Sequence, residues 1–189
     1  MKVYAVKPDA NYRFMYPEDK VYRSEHWKFK CKPLIEILPK QFSAYFDKNS
    51  NEPKPDIAFI GMLTFAFREE VADALADILE EAGELLPFYV DDELWYCFNA
   101  LKSADAVDED KSTFEIVEGP IKMGLKEIVF NTDMLPDGSL FKIPTDNYTT
   151  IYCADRRGSD EEVLDNFFCA VAANEFTGIK FEEVYDDGE

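Results

Sequence analysis

Residues able to do chemistry are scarce in this sequence, and their spacing does not suit it. His26 is the single histidine, so no two-histidine metal site exists, and Cys31, Cys97, Cys153 and Cys169 are too scattered to complete one. There is no phosphate-cradling G-x-x-x-x-G-K-[ST], no G-x-G-x-x-G, no H-E-x-x-H and no G-x-S-x-G. A nucleophile pair of His26 with one of the four cysteines is conceivable. Beside Trp27 and among basic neighbours, however, His26 reads more simply as a loop histidine. Asp108, Asp110 and Ser112 take positions 1, 3 and 5 of a calcium loop, but Thr113 then replaces the glycine of position 6 and Gly119 the glutamate of position 12. Glu80 and Glu84 have the spacing of an acid–base carboxylate pair. In a chain with 39 acidic residues such pairs arise freely, and a solvated face explains them as well. Asn147-Tyr148-Thr149 matches a glycosylation acceptor with no sign of secretion beside it. Asp155-Arg156-Arg157 reads as a loop salt bridge. No catalytic, metal or cofactor site is expected.

Charge says more than motif. The chain carries 20 basic and 39 acidic side chains, net −19. Residues 1–55 hold 11 basic against 7 acidic, net +4, which leaves 9 against 32, net −23, for the remainder. Such a field repels nucleic acid and anionic membranes and draws in basic partners, although it also serves solubility. The expected binding residues are the acidic turns Asp91, Asp92, Glu93 and Asp108, Glu109, Asp110, with solvated surface acids as the plainer alternative. Cys97 and Cys169 lie in apolar contexts, as small core residues of a reducing compartment do. The N-terminus has no secretory stretch, and the longest near-apolar run, residues 57–67, is far short of the roughly 20 residues of a membrane helix. A cytoplasmic protein follows.

The elements that must carry these surfaces are legible by period. Val71, Leu75, Ile78, Leu79 and Ala82 fall on one face of a helix over 68–82, with Asp73, Asp77, Glu80 and Glu81 opposite and Glu69 and Glu70 in its first turn. Gly83 suits a left-handed cap. Leu85, Leu86 and Phe88 then enter a hairpin turned at Asp91-Asp92, returning through Leu94, Tyr96 and Phe98. Met1 to Lys7 alternates as a strand, with Val3 and Ala5 opposite Tyr4 and Val6. The aromatic, basic segment 10–29 reads as loop with exposed rings and one or two short strands. Phe114, Ile116 and Ile121, then residues 125–130, predict further strands, and Pro136-Asp137-Gly138 turns the last into a meander with 139–144. Residues 148–153 are strand-like. Ser159 and Glu162 make a capping box for a second helix over 160–174, striped by Val163, Phe167, Ala170 and Val171. Residues 69–73 and 161–165 share four of five residues, which hints at a repeated strand–helix–strand unit. The expectation is one α+β domain over 1–189, mostly antiparallel, with two main helices and lobes near 1–99 and 100–189.

The order of local phrases adds a resemblance. KPD closes the first strand, PDIAFIGMLTFAFREEV enters the helix, and GELLPF, WYCFNALKSADAVDEDKS, IVFNTDMLPDGSLFKIP and FTGIKFEEV follow. This series resembles immunity-protein family eleven of bacterial polymorphic toxin systems, formerly described only as a bacterial domain of unknown function. The likeness runs over most of the chain and is densest over 84–112 and 128–184. Residues 153–174, with DRRGSDEE and a phenylalanine pair, depart from the pattern. The resemblance implies a cytoplasmic α+β protein that protects the producing cell by binding a cognate toxin, with no catalytic residue to carry over. A basic toxin would suit the charge. The runners-up are a carboxylate enzyme acting on a glycan or nucleotide, and an acidic structural or regulatory module. Oligomeric state is not encoded in any motif.

Overall fold

Strict alternation of Val3 and Ala5 against Tyr4 and Val6 makes the first residues a strand with two buried faces. The computed structural model describes residues 1–118 and 121–188. In chain order, β1 (Lys2–Pro8), β2 (Met15–Pro17), the one-turn helix α1 (Asp19–Tyr22) and β3 (Ala44–Phe46) lead to the hairpin β4 (Ile57–Ile60) and β5 (Thr64–Arg68). Then come α2 (Glu69–Ala74), α3 (Ala76–Ala82) and the hairpin β6 (Gly83–Val90) and β7 (Glu93–Ala100). The rest is the hairpin β8 (Thr113–Glu118) and β9 (Ile121–Glu127), then β10 (Leu140–Phe141), β11 (Ile151–Asp155), α4 (Asp160–Leu164), α5 (Phe167–Ala173) and β12 (Ile179–Asp186). The fold is α+β.

Two sheets organise the molecule. One has the order β10-β11-β1-β12 and the other β3-β2-β4-β5-β7-β6, with β8-β9 as a separate ribbon. All pairings are antiparallel except β2 with β4. The repeated sequence motif has a structural counterpart. α2–α3 connect β5 to β6 across β7, and α4–α5 connect β11 to β12 across β1, the middle strand being antiparallel to both neighbours each time. A division at residue 99 does not follow the sheets, because β1 lies in the middle of the strands from residues 151–186.

Alternation sorts the side chains into three cores. Between the sheets, Val6, Phe67, Phe98, Ile151 and Cys153 meet Val71, Leu75 and Leu79 of the first helix pair and Phe167 and Val171 of the second. The reverse face of the larger sheet, through Phe88, Trp95 and Cys97, is covered by Trp27, Phe29, Leu34 and Phe42. The reverse face of the smaller sheet, through Val3, Ala5 and Tyr152, meets Ala104, Ala106 and Phe130. Trp27 and Phe29 are therefore core residues, although the 10–29 segment was expected to expose its aromatics. Tyr22 does remain exposed.

Each expected long helix is two short ones. The first breaks at Leu75, whose N–H donates to both Val71 O and Ala72 O, yet its apolar face stays on the core throughout. The second keeps its capping box at Ser159 and Glu162 but stops at Asp165, because Asn166 is drawn inward. Its Nδ2 donates to Asp155 Oδ1 at 2.7 Å while its Oδ1 accepts from Cys169 N and starts α5. The kink lifts α4 off the core, so Val163 and Leu164, at 39% and 76% exposure, do not continue the stripe.

Two turn assignments also change. Gly83 is extended, at φ −177°, and not a left-handed cap; glycine is required because a Cβ there would strike the backbone of Asn99 on β7. The turn at 136–138 does not join a meander, since β9 pairs with β8 whereas β10 pairs with β11.

Candidate partner-binding surface

Residues 69–101 contain ten carboxylates and no basic side chain. Helical period turns Glu69, Glu70, Asp73, Asp77 and Glu80 outward, because the opposite face is consumed by the core. The β6–β7 hairpin turns on Asp91 and Asp92, both left-handed at φ 49° and 67°, as two-residue hairpin loops demand. That geometry leaves Asp91, Asp92 and Glu93 exposed.

Register then brings helix and turn together. Arg68 pairs with Trp95 across β5 and β7, so the residues after Arg68 and those before Trp95 are neighbours. Glu69, Glu70, Asp92 and Glu93 rim a notch of about 400 Å³ that also touches Arg68, Leu94 and Trp95. Arg68 stacks its guanidinium 5.5 Å from the Trp95 ring and lies 3.8 Å from Glu70. Asp91 is 3.7 Å from Lys54 and Glu81 is 2.5 Å from Lys102. Among the described residues, Glu69, Asp73, Asp77, Glu80, Asp92 and Glu93 have no ion pair. This is a broad field of uncompensated negative charge on a rigid hairpin and helix.

The structure thus places Asp91, Asp92 and Glu93 at one site, and adds Glu69 and Glu70, which sequence reading assigned only to a helix start. The strand register was the missing signal. Asp108, Glu109 and Asp110 sit elsewhere. The chain leaves the far end of β7 and packs on the smaller sheet, with Asp108 N donating to Val129 O at 2.8 Å. Asp108 accepts from Lys111 at 2.8 Å, and this ammonium, with the Lys111 N–H, holds its carboxyl below the usual range. The two acidic turns are therefore separate surfaces. Gly119, position 12 of the calcium-loop comparison, lies outside the described residues.

Nor do Glu80 and Glu84 form a catalytic pair. The helix ends at Ala82, so Glu84 belongs to β6, where its Oε1 accepts from Asn99 Nδ2 at 2.8 Å and from Leu34 N. A cavity of about 660 Å³ lies beside Asp155, Arg156 and Arg157. Its charged groups are engaged by neighbouring side chains and backbone. Arg157 grips Asp155, Arg156 donates to Gly138 O and Pro136 O, Lys2 meets Glu183 and Asp186, and the terminal amine meets Asp187. Among the described residues, no cluster of three or more His, Cys, Asp or Glu side chains is placed to hold a metal ion. No described helix is long and apolar enough to cross a membrane.

Comparison with known proteins adds no family. No protein-family model matches this chain, and no curated protein matches it.

Proposed function

We propose that the chain is a cytoplasmic immunity protein that binds and neutralises a cognate bacterial toxin without catalysis. The observation that carries this reading is the run of ten carboxylates without a base over 69–101, all but Glu84 displayed on the α2–α3 face and the β6–β7 turn. An acidic face of this kind steers a basic protein into contact and penalises other partners. The ordered resemblance to immunity-protein family eleven of polymorphic toxin systems points the same way. A toxin that acts on nucleic acid would offer a basic groove, and the carboxylates of Glu69, Glu70, Asp92 and Glu93 would occupy it in place of phosphates.

The test is co-expression and tagged capture with the product of the adjacent upstream gene. The expected result is one-to-one capture, rescue of growth, and weakening at high salt. Changing Glu69, Glu70, Asp92 and Glu93 to Gln or Asn should slow association by about tenfold or more at low salt, while the same change at Asp108, Glu109 and Asp110 should leave it nearly intact. Absence of both capture and rescue overturns the proposal.

A further inference from the structure

Lys142 is the charged residue most out of place in this fold. It lies between Phe141 and Ile143, which both enter the core beneath the smaller sheet, and it is 1% exposed. Lysine is almost never buried so completely without a carboxylate partner. Among the described residues Lys142 has no ion pair, in a chain with 39 acids. Its Nζ donates to Phe29 O at 2.6 Å and to Tyr148 O at 3.1 Å. The nearest charges and thiols are Cys31, Cys97 and Asp146. Burial holds both thiols protonated, and Asp146 is engaged by Thr149 N, Thr150 N and the Tyr152 hydroxyl.

The donor count favours the neutral amine, in the same direction as burial, which lowers its affinity for a proton. A neutral amine has two N–H groups and one lone pair. Two carbonyls satisfy both N–H groups here. An ammonium would bury a full charge and a third N–H with no acceptor among the described residues. The loops that deliver these groups are held in unusual conformations, since Cys31, Asn147 and Tyr148 are all left-handed at φ 53°, 59° and 58°. Such backbone persists only where its surroundings enforce it.

The Lys142 side chain also borders a small pocket. That pocket, of about 80 Å³, is lined by Lys142, Phe29, Leu63 and Tyr148 together with the exposed Lys28 and Lys30. A buried, uncharged lysine beside a small apolar pocket has the properties of an imine-forming nucleophile. We propose that Lys142 is a covalent capture site for a carbonyl compound of a few heavy atoms, the cationic Lys28 and Lys30 favouring a short 2-oxo acid over an uncharged aldehyde. The Nζ lone pair attacks the carbonyl carbon and a C–N bond forms. The carbonyl oxygen then leaves as water with the two N–H protons, and an imine remains. This site is independent of the acidic surface and of the immunity reading.

The experiment treats the folded protein with glyoxylate or acetaldehyde plus cyanoborohydride and locates the adducts by peptide mass spectrometry. Lys142 should be labelled at least about tenfold faster than the exposed Lys20 and Lys40 at pH 7. That ratio should fall as pH rises, because the exposed amines gain neutral fraction over more of the range than Lys142 does. Leu63→Trp, at an exposed position, should fill the pocket and slow Lys142 alone. Glyoxylate should outpace acetaldehyde, and equal rates would overturn the preference for an anion. Labelling of Lys142 no faster than the exposed lysines, or only after unfolding in urea, would overturn the site.

Discussion

Arg157 closes a two-pronged grip on Asp155, Nε to Oδ1 and Nη2 to Oδ2, both at 2.8 Å. Asp155 is 5% exposed at the end of β11, and its Oδ1 also accepts from Asn166, the residue that ends α4 and caps α5. One buried carboxylate therefore ties a strand end to the break between two helices. Arg157→Ala should cost about 2 kcal/mol, below the full penalty for a stranded buried charge because the guanidinium is itself half in solvent. Urea denaturation with an unchanged m-value would check this, and a loss under 0.5 kcal/mol would mean that Asn166 suffices alone.

Gly83 is a steric requirement and not a conformational one. Its extended backbone suits any residue, but an added methyl group would strike Asn99 O and the Cα of Ala100. Gly83→Ala should destabilise the fold by about 2 kcal/mol by forcing β6 away from β7. Thermal unfolding of the variant measures it.

Thiol chemistry should divide the four free cysteines in two. Burial pushes Cys153 up to about 12 and Cys97 higher still, and neither is open to solvent. Cys169 is partly exposed, while Cys31 is half-buried with its thiol pushed up by desolvation. A maleimide should modify Cys169 first and Cys31 slowly, and reach the other two only after unfolding. Native labelling of Cys97 or Cys153 would contradict the packing.

Lys142 should leave a mark on the pH dependence of stability. Burial lowers its folded value from the ordinary 10.5. Between the lowered value and 10.5, the unfolded chain binds a proton that the folded protein does not, so stability rises with pH there, by up to about 1.4 kcal/mol per unit. Cys97 and Cys153, raised by burial, act in the opposite sense above about 8.5, where unfolded thiols ionise. Stability should therefore climb with pH from the lowered value up to about 8.5, and Lys142→Met should flatten that climb whatever it does to stability overall. Urea titrations of both proteins at three pH values decide it.

Much of the architecture was readable as period and punctuation. Alternation in β1 and β7, the apolar stripe of Val71, Leu75 and Leu79, the Asp91-Asp92 turn and the Ser159–Glu162 box are local properties, set within a few residues. Those the structure keeps. The likeness of residues 69–73 to 161–165 was legible too, and it marks two units of the same topology. The local signal failed wherever a distant partner intervened. Gly83 looked like a cap until Asn99 lay against it, and Val163 looked like core until Asn166 turned toward Asp155.

Composition alone established a strongly acidic protein without catalytic or metal motifs, because charge and residue supply need no coordinates. Only the tertiary structure decided which acids share a surface. Glu69 and Glu70 meet Asp92 and Glu93 through the pairing of Arg68 with Trp95, whereas Asp108 is tied to Val129, beside the other sheet. Burial of Lys142 was equally invisible, since no other lysine among the described residues is buried. Strand register and burial are long-range properties, set by which segments pair after collapse, and no local pattern of types encodes them.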